Sequence, residues 1–261
     1  PSRPREPSRG LLAFPAVLAL PFGVRRLSAM ATYVLIHGAS DAFYWHRVVP
    51  LLEARGHDVV APDLPIGDEK ATFADYADTV VQAVGHRSDV VLVAQSMGAY
   101  TAAIVCHRVP VELVILVAPM IPAPGETPAH WWTNTGQREA QRELDEREGR
   151  DPDATFDPRA TFMHDVPDEV VEAVLDHGVP QQADAIFGHP WPLEAWPTVP
   201  TRVLVGRDDR LIPLELARHL AQTRLGVTPD ELPGGHLLAL GHPDALVDWL
   251  ESYREQLAQS A

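Results

Sequence analysis

Three side chains have the types, the chain order and the settings that nucleophilic catalysis requires: Ser96, an aspartate at 208 or 209, and His236. Ser96 ends an apolar, β-branched run in Val91-Leu92-Val93-Ala94-Gln95-Ser96-Met97-Gly98-Ala99, and a helix-like stretch with Ala102, Ala103, Ile104 and Val105 follows. A strand, a sharp turn and a helix form the setting in which G-x-S-x-G lifts a serine hydroxyl clear of a sheet edge. Ala94 stands where that pattern has its first glycine, which adds one methyl group. Serine is also a common helix N-cap, so the pentapeptide alone leaves nucleophile and cap both open. A base, an acid and an oxyanion hole elsewhere in the chain decide between them.

A serine hydroxyl is a weak nucleophile near neutral pH. It needs a base to take its proton and an acid to orient that base. The segment Val203-Leu204-Val205-Gly206-Arg207-Asp208-Asp209-Arg210-Leu211-Ile212-Pro213 reads as a buried strand running into an acidic turn. In Leu232-Pro233-Gly234-Gly235-His236-Leu237-Leu238 a histidine follows paired glycines after a strand, a context that singles it out among twelve histidines. All three candidates thus fall in loops after strand C-termini, the edge where parallel α/β sheets build their sites. Their order, Ser then Asp then His, is that of one triad type. In Tyr33-Val34-Leu35-Ile36-His37-Gly38-Ala39-Ser40 a His-Gly pair ends the first strand. The backbone amides of Ala39 and Met97 are therefore the expected oxyanion donors, with His37 serving the turn. No HExxH or similar ligand spacing occurs, and His236 and His242 alone do not make a metal site. Neither a metal nor an organic cofactor is expected.

The elements that must position these residues follow from periodicity. Short apolar runs alternate with amphipathic stretches from Thr32 onward, the pattern of a parallel sheet covered by helices. Strands are expected at 32–37, 57–61, 89–94, 112–118, 201–206 and 227–232, and helices at 44–55, 73–85, 97–108, 213–223 and 243–257. Gly56 and Gly85 suit helix ends, and Pro213 and Pro243 suit first turns. The alternation fails between Pro119 and Pro197, a stretch holding Trp131, Trp132, Trp191 and Trp196, many prolines and a charged helix-like run from Gln137 to Arg150. It is too long for an ordinary loop. The expected organisation is a core of residues 31–119 and 198–261 with a helical cap, 120–197, inserted after the fourth strand. Trp131, Trp132 and Trp191 are candidates to line an apolar pocket under that cap.

Composition limits the alternatives. The 261 residues carry 36 acids against 21 bases, a formal charge of −15, so no basic patch for nucleic acid or anionic membrane is expected. Lys70 is the single lysine and lies in a loop-like stretch, which disfavours Schiff-base chemistry. The single cysteine, Cys106, rules out an internal disulfide and reads as a buried small hydrophobe. Residues 1–29 are rich in proline and arginine, with an apolar run (Leu11 to Phe22) too short to span a bilayer. A secretory signal is conceivable there, but Met30 directly precedes the first strand. Residues 1–29 are read as an extension upstream of a natural start at Met30, and the protein as cytoplasmic.

Over about residues 31–261 the chain resembles the α/β-hydrolase superfamily. The resemblance is carried by His37-Gly38, Ala94-Gln95-Ser96-Met97-Gly98, Gly206-Arg207-Asp208-Asp209 with Pro213, and Gly234-Gly235-His236 with Pro243. In that family the acid stands three residues after the glycine and four before the proline, which selects Asp209. Tyr44-Trp45-His46 and Ala61-Pro62-Asp63-Leu64-Pro65 look most like the small actinobacterial hydrolases related to plant methylesterases and hydroxynitrile lyases.

The resemblance implies an α/β-hydrolase fold of about six mostly parallel strands and hydrolysis of a small, apolar or aromatic carboxylic ester through an acyl-enzyme. Ser96 excludes the epoxide- and halide-opening members, which carry aspartate at the nucleophile position. Leu237 stands where the lyases have a lysine after the histidine. Lactone hydrolysis, C–C bond hydrolysis and cofactor-free haloperoxidase-type activity use the same triad, and a hydrolase-like ligand receptor retains the same fold. The sequence leaves the oligomeric state open.

Overall fold

The computed structural model describes residues 30–178 and 180–260; the stretch 1–29, with the reading of it as an upstream extension, lies outside the described residues. Six strands form one parallel sheet: β1 (Thr32–Ile36), β2 (Asp58–Val60), β3 (Val90–Gln95), β4 (Leu113–Val117), β5 (Thr201–Gly206) and β6 (Asp230–Leu232). Their order is β2-β1-β3-β4-β5-β6. The chain leaves β1 for one edge and returns to the other side of β1 as β3. The crevice between the C-terminal ends of β1 and β3 is therefore the switch point where such sheets bind ligands.

Side-chain alternation along β1 explains the layers. Tyr33 and Leu35 point to one face, with Trp45, Leu52, Leu246 and Leu250, while Val34 and Ile36 point to the other, with Tyr76, Val80 and Ala103. Both faces are covered, so the central strands β3 and β4 are apolar and buried almost throughout. Helices α1 (Val49–Ala54) and, near the C-terminus, α10 (Pro243–Ser260) cover the first face. Helices α2 (Phe73–Val84), α3 (Gly98–Val105) and α8 (Leu214–Leu220) cover the second. The α2 helix starts from a capping box, in which Thr72 and Asp75 satisfy each other's orphan backbone donors. It buries Phe73, Tyr76, Ala77, Val80 and Val84, an i, i+3, i+4, i+7 stripe.

Three elements differ from the periodicity. The expected helix 44–55 is split into a 3₁₀ turn, Ala42–Trp45, and α1. Pro50 lacks an amide proton and fits only in the first turn of a helix, so it forces the break. β6 begins at Asp230 and not at 227, because Pro229 has no N–H to give the ladder. A short helix, α9 (Leu238–Gly241), fills the gap between the His236 loop and α10. Cys106 closes α3 half-buried rather than fully buried, its thiol pushed up to about 12 by burial and hence protonated.

Between β4 and β5 stand α4 (Pro128–Asn134), α5 (Gln137–Arg147), α6 (Pro158–Phe162), α7 (Asp168–His177) and a 3₁₀ turn at Asp184–Gly188. We call this segment the cap. Among the described residues no helix is long and apolar enough to cross a membrane.

Candidate active site

Ser96 follows the last residue of β3, and its backbone turns so sharply that φ is +51°. A left-handed backbone is costly for an L-residue, about 1–2 kcal/mol. It is held here by its neighbours: Ser96 N–H donates to Val117 O (3.1 Å), and Ser96 O accepts from Met120 N–H (3.0 Å) and Ala99 N–H (3.2 Å). Helix α3 begins immediately afterwards, against the end of β1. A Cβ on Gly98 would lie 2.7 Å from His37 O and 3.0 Å from Ile36 O, so any larger residue would push the helix away from the strand. Ala94, at the other flank, sits fully buried between Ile36 and Leu116 in the ladder, and its methyl is part of the core.

The three candidate groups come together from three loops. His236 Nε2 lies 3.1 Å from Ser96 Oγ, and His236 Nδ1 lies 2.7 Å from Asp209 Oδ2. An ionised carboxylate only accepts, so Nδ1 carries the proton and leaves the Nε2 lone pair facing the serine hydroxyl. Asp209 and His236 are each only 2 % exposed. Burying a carboxylate is tolerable when its lone pairs are met. Asp209 Oδ1 accepts from the N–H groups of Leu211 (2.8 Å) and Ile212 (2.9 Å), while Oδ2 is left to the histidine. Asp208 points elsewhere: its Oδ2 accepts from Gly234 N–H (3.0 Å) and its own N–H donates to Gly234 O (2.9 Å), tying the β5 loop to the β6 loop.

At the end of β1, His37 is fully buried and burial holds its pKa below the ordinary value. Its Nε2 accepts from Leu64 N–H (3.0 Å), so the proton sits on Nδ1 and is donated to Gly38 O (3.0 Å). The histidine thereby braces the turn that carries Ala39. Both Ala39 and Met97 line the cavity beside Ser96.

That cavity has a volume of about 680 Å³, and Ser96 and His236 both line it. The core supplies Phe43, Tyr44 and Leu240, and the segment between β4 and β5 supplies Met120, Trp132, Phe162, Met163, Val171, Val174 and Phe187. Of the three tryptophans expected there, only Trp132 contributes. Trp131 is fully buried and donates its indole N–H to Ile121 O (2.9 Å). Trp191, 2 % exposed, donates to Tyr100 O (3.2 Å). Both belong to the buried core and anchor the segment there, because a large ring with one donor is best satisfied in a packed site where its N–H meets a carbonyl. The α7 contribution was readable as an amphipathic stripe (Val170, Val171, Val174), whereas no spacing marks Phe162, whose ring centroid lies 5.6 Å from that of His236.

The two adjacent tryptophans should therefore respond differently to truncation. Trp131→Ala is expected to cost about 3–5 kcal/mol of stability in urea unfolding. Trp132→Ala, at a half-buried cavity wall, should cost less stability than Trp131→Ala and weaken binding of an apolar ligand in the cavity instead.

A model of the alpha/beta hydrolase family matches residues 33–249. A pyrethroid hydrolase of Sphingobium wenxiniae is 27% identical over 251 residues, covering 87% of this chain and 88% of that protein. Methylesterase 7 of Arabidopsis thaliana is 34% identical over 112 residues, which span 38% of this chain and 43% of that protein. Among solved structures, a pyrethroid hydrolase from Sphingobium faniae superposes with a TM-score of 0.67 at 24% identity, covering 87% of this chain and 98% of that one. Polyneuridine aldehyde esterase superposes at 0.70 and 20% identity, covering 86% and 99%. The matched span runs from β1 into α10 and includes every residue of the site; the chain belongs to the alpha/beta hydrolase family.

Proposed function

We propose that this carboxylic ester hydrolase of the α/β type works through an acyl-enzyme on Ser96, with His236 as general base and acid and Asp209 as the group that orients it. The reading is carried by one observation. A relay from Ser96 Oγ to His236 Nε2 (3.1 Å) and from His236 Nδ1 to Asp209 Oδ2 (2.7 Å) opens onto an apolar cavity.

In this mechanism Ser96 Oγ attacks the ester carbonyl carbon while its proton passes to His236 Nε2. The Ala39 and Met97 amides hold the resulting oxyanion; losing one such donor typically costs about 3 kcal/mol of transition-state stabilisation. Collapse breaks the bond to the alcohol, which leaves with the proton from Nε2. Water then attacks the acyl-serine, gives its proton to Nε2, and the acid departs as the proton returns to Ser96. Asp209 stays ionised and stabilises the imidazolium at both stages.

The cavity supports a proposal for the substrate class. Its volume of about 680 Å³ lies in the range of drug-sized ligand sites. Phe43, Trp132, Phe162 and Phe187 supply aromatic wall, so the favoured esters carry a bulky apolar or aromatic acyl or alcohol group. The similarity to a protein named as a pyrethroid hydrolase points the same way.

A series of p-nitrophenyl esters of increasing acyl length, with a serine-reactive phosphonate, tests the proposal. Stoichiometric labelling at Ser96, found by peptide mass spectrometry, is expected. Turnover should favour bulky apolar acyl groups. An unlabelled Ser96 in protein that still hydrolyses esters would remove the mechanism.

A further inference from the structure

The loop that carries His236 is gripped from two sides, and only one grip comes from the core. On the core side Asp208 exchanges two hydrogen bonds with Gly234. On the other, Asp165, in the cap between α6 and α7, accepts the N–H of Gly235 on Oδ2 at 2.6 Å. Gly235 is the residue immediately before His236. The same oxygen lies 3.2 Å from Nε2 of His242, which follows α9. Three residues before Asp165, the Phe162 ring packs against the His236 imidazole at 5.6 Å. One short cap segment thus meets the catalytic loop at its backbone and its ring.

Gly235 is shaped to this contact. A Cβ there would lie 2.7 Å from Asp165 Oδ1 and 2.7 Å from His164 Cε1, so only glycine admits the carboxylate. The two oxygens of that carboxylate differ: Oδ2 meets Gly235 N–H and His242. Asp165 Oδ1 is buried and has no hydrogen-bond partner among the described residues. An acceptor left buried and unpaired is costly, whereas the bond made by Oδ2 falls on the His236 loop. Its effect falls on the N–H of Gly235 and on the position of the imidazole next to it.

We propose that Asp165 is a positioning residue: it holds the His236 loop in register through Gly235 and makes the relay depend on a seated cap. The inference rests on the reading of Ser96 and His236 as nucleophile and base. Without the bond the Gly235–His236 backbone relaxes, Nε2 drifts from Ser96 Oγ, and turnover falls while the distant cavity walls still bind substrate. A displacement of about 1 Å in a reacting pair is enough for losses near 10²-fold.

The test compares wild type, D165A and D165N on one p-nitrophenyl ester, with active sites counted by exhaustive phosphonate labelling, and Ser96→Ala on the same ester per mole of folded protein. D165A is expected to lower kcat per labelled site about 10- to 100-fold with KM within about 3-fold. Asparagine retains an acceptor for Gly235 N–H, so D165N should recover kcat to within about 5-fold of wild type. Should D165A not accumulate as folded protein, Asp165→Ser, too short to reach Gly235, replaces it. Wild-type kcat per labelled site in the truncated variant, or D165N as impaired as D165A, overturns the inference. Turnover retained by Ser96→Ala overturns the mechanism instead, and the two failures are separate.

Discussion

Replacing Ser96 with alanine is expected to lower turnover of a p-nitrophenyl ester by at least about 10³-fold, because no other group is placed to form the acyl bond. The residue faces an apolar cavity, and its Oγ has His236 Nε2 at 3.1 Å as its partner. On the proposed mechanism, removing the oxygen leaves the cavity and its oxyanion donors, which sustain only a modest background. Folding should be little affected, since the strain sits in the backbone: φ of +51° is imposed by bonds to Val117, Met120 and Ala99 that alanine also makes. Ser96→Gly should be just as inactive yet more stable, by up to about 1 kcal/mol, because glycine occupies that region without penalty. Stopped-flow or plate assays with parallel urea unfolding separate the two effects. Turnover in Ser96→Ala near the wild-type value would end the serine mechanism.

Asp209→Asn is expected to cost nearly as much, about 10³- to 10⁴-fold in kcat, with the fold intact. Asp209 Oδ1 is already committed to the N–H groups of Leu211 and Ile212. An asparagine would keep its oxygen there and turn its amide nitrogen toward His236 Nδ1. The amide N–H donates and Nδ1 must then accept, so the imidazole proton moves to Nε2 and the base meets Ser96 with its lone pair occupied. The site would look correct and hold the wrong tautomer. Asp208→Asn is the matched control. Its side chain accepts one bond from Gly234 and does not touch the imidazole, so turnover should stay within about 5-fold of wild type. Equal losses in the two variants would mean that the acid had been misassigned.

Much of the sheet was legible from local pattern. The strand 201–206 is observed as expected, and β1, β3 and β4 differ from their expected ranges by a residue at one or both ends. Strands buried on both faces read as continuous apolar runs, and β1, β3 and β5 run into turns with glycine or aspartate, whereas β4 runs into Ala118-Pro119. Where the reading slipped, at 44–55 and 227–232, proline overrode hydrophobic periodicity by removing a backbone donor. The cap was legible only as a region, because an insertion packs through side chains from many short helices and no single period governs it. Two of its tryptophans therefore turned out to be anchors and not pocket walls.

By itself the sequence determined which groups are available and on which edge they fall. The chain order Ser96, Asp209, His236, each after a strand of one parallel sheet, places all three at the same end whatever the cap does. Tertiary structure alone decided the rest: the hydrogen bond that joins His236 to Asp209 while Asp208 turns to Gly234, the volume and aromatic lining of the cavity, and the reach of Asp165 across to Gly235. The physical reason is range. Strand, turn and helix signals lie within a few residues of one another. A hydrogen bond between positions 70 residues apart depends on how two segments distant in the chain come to rest together.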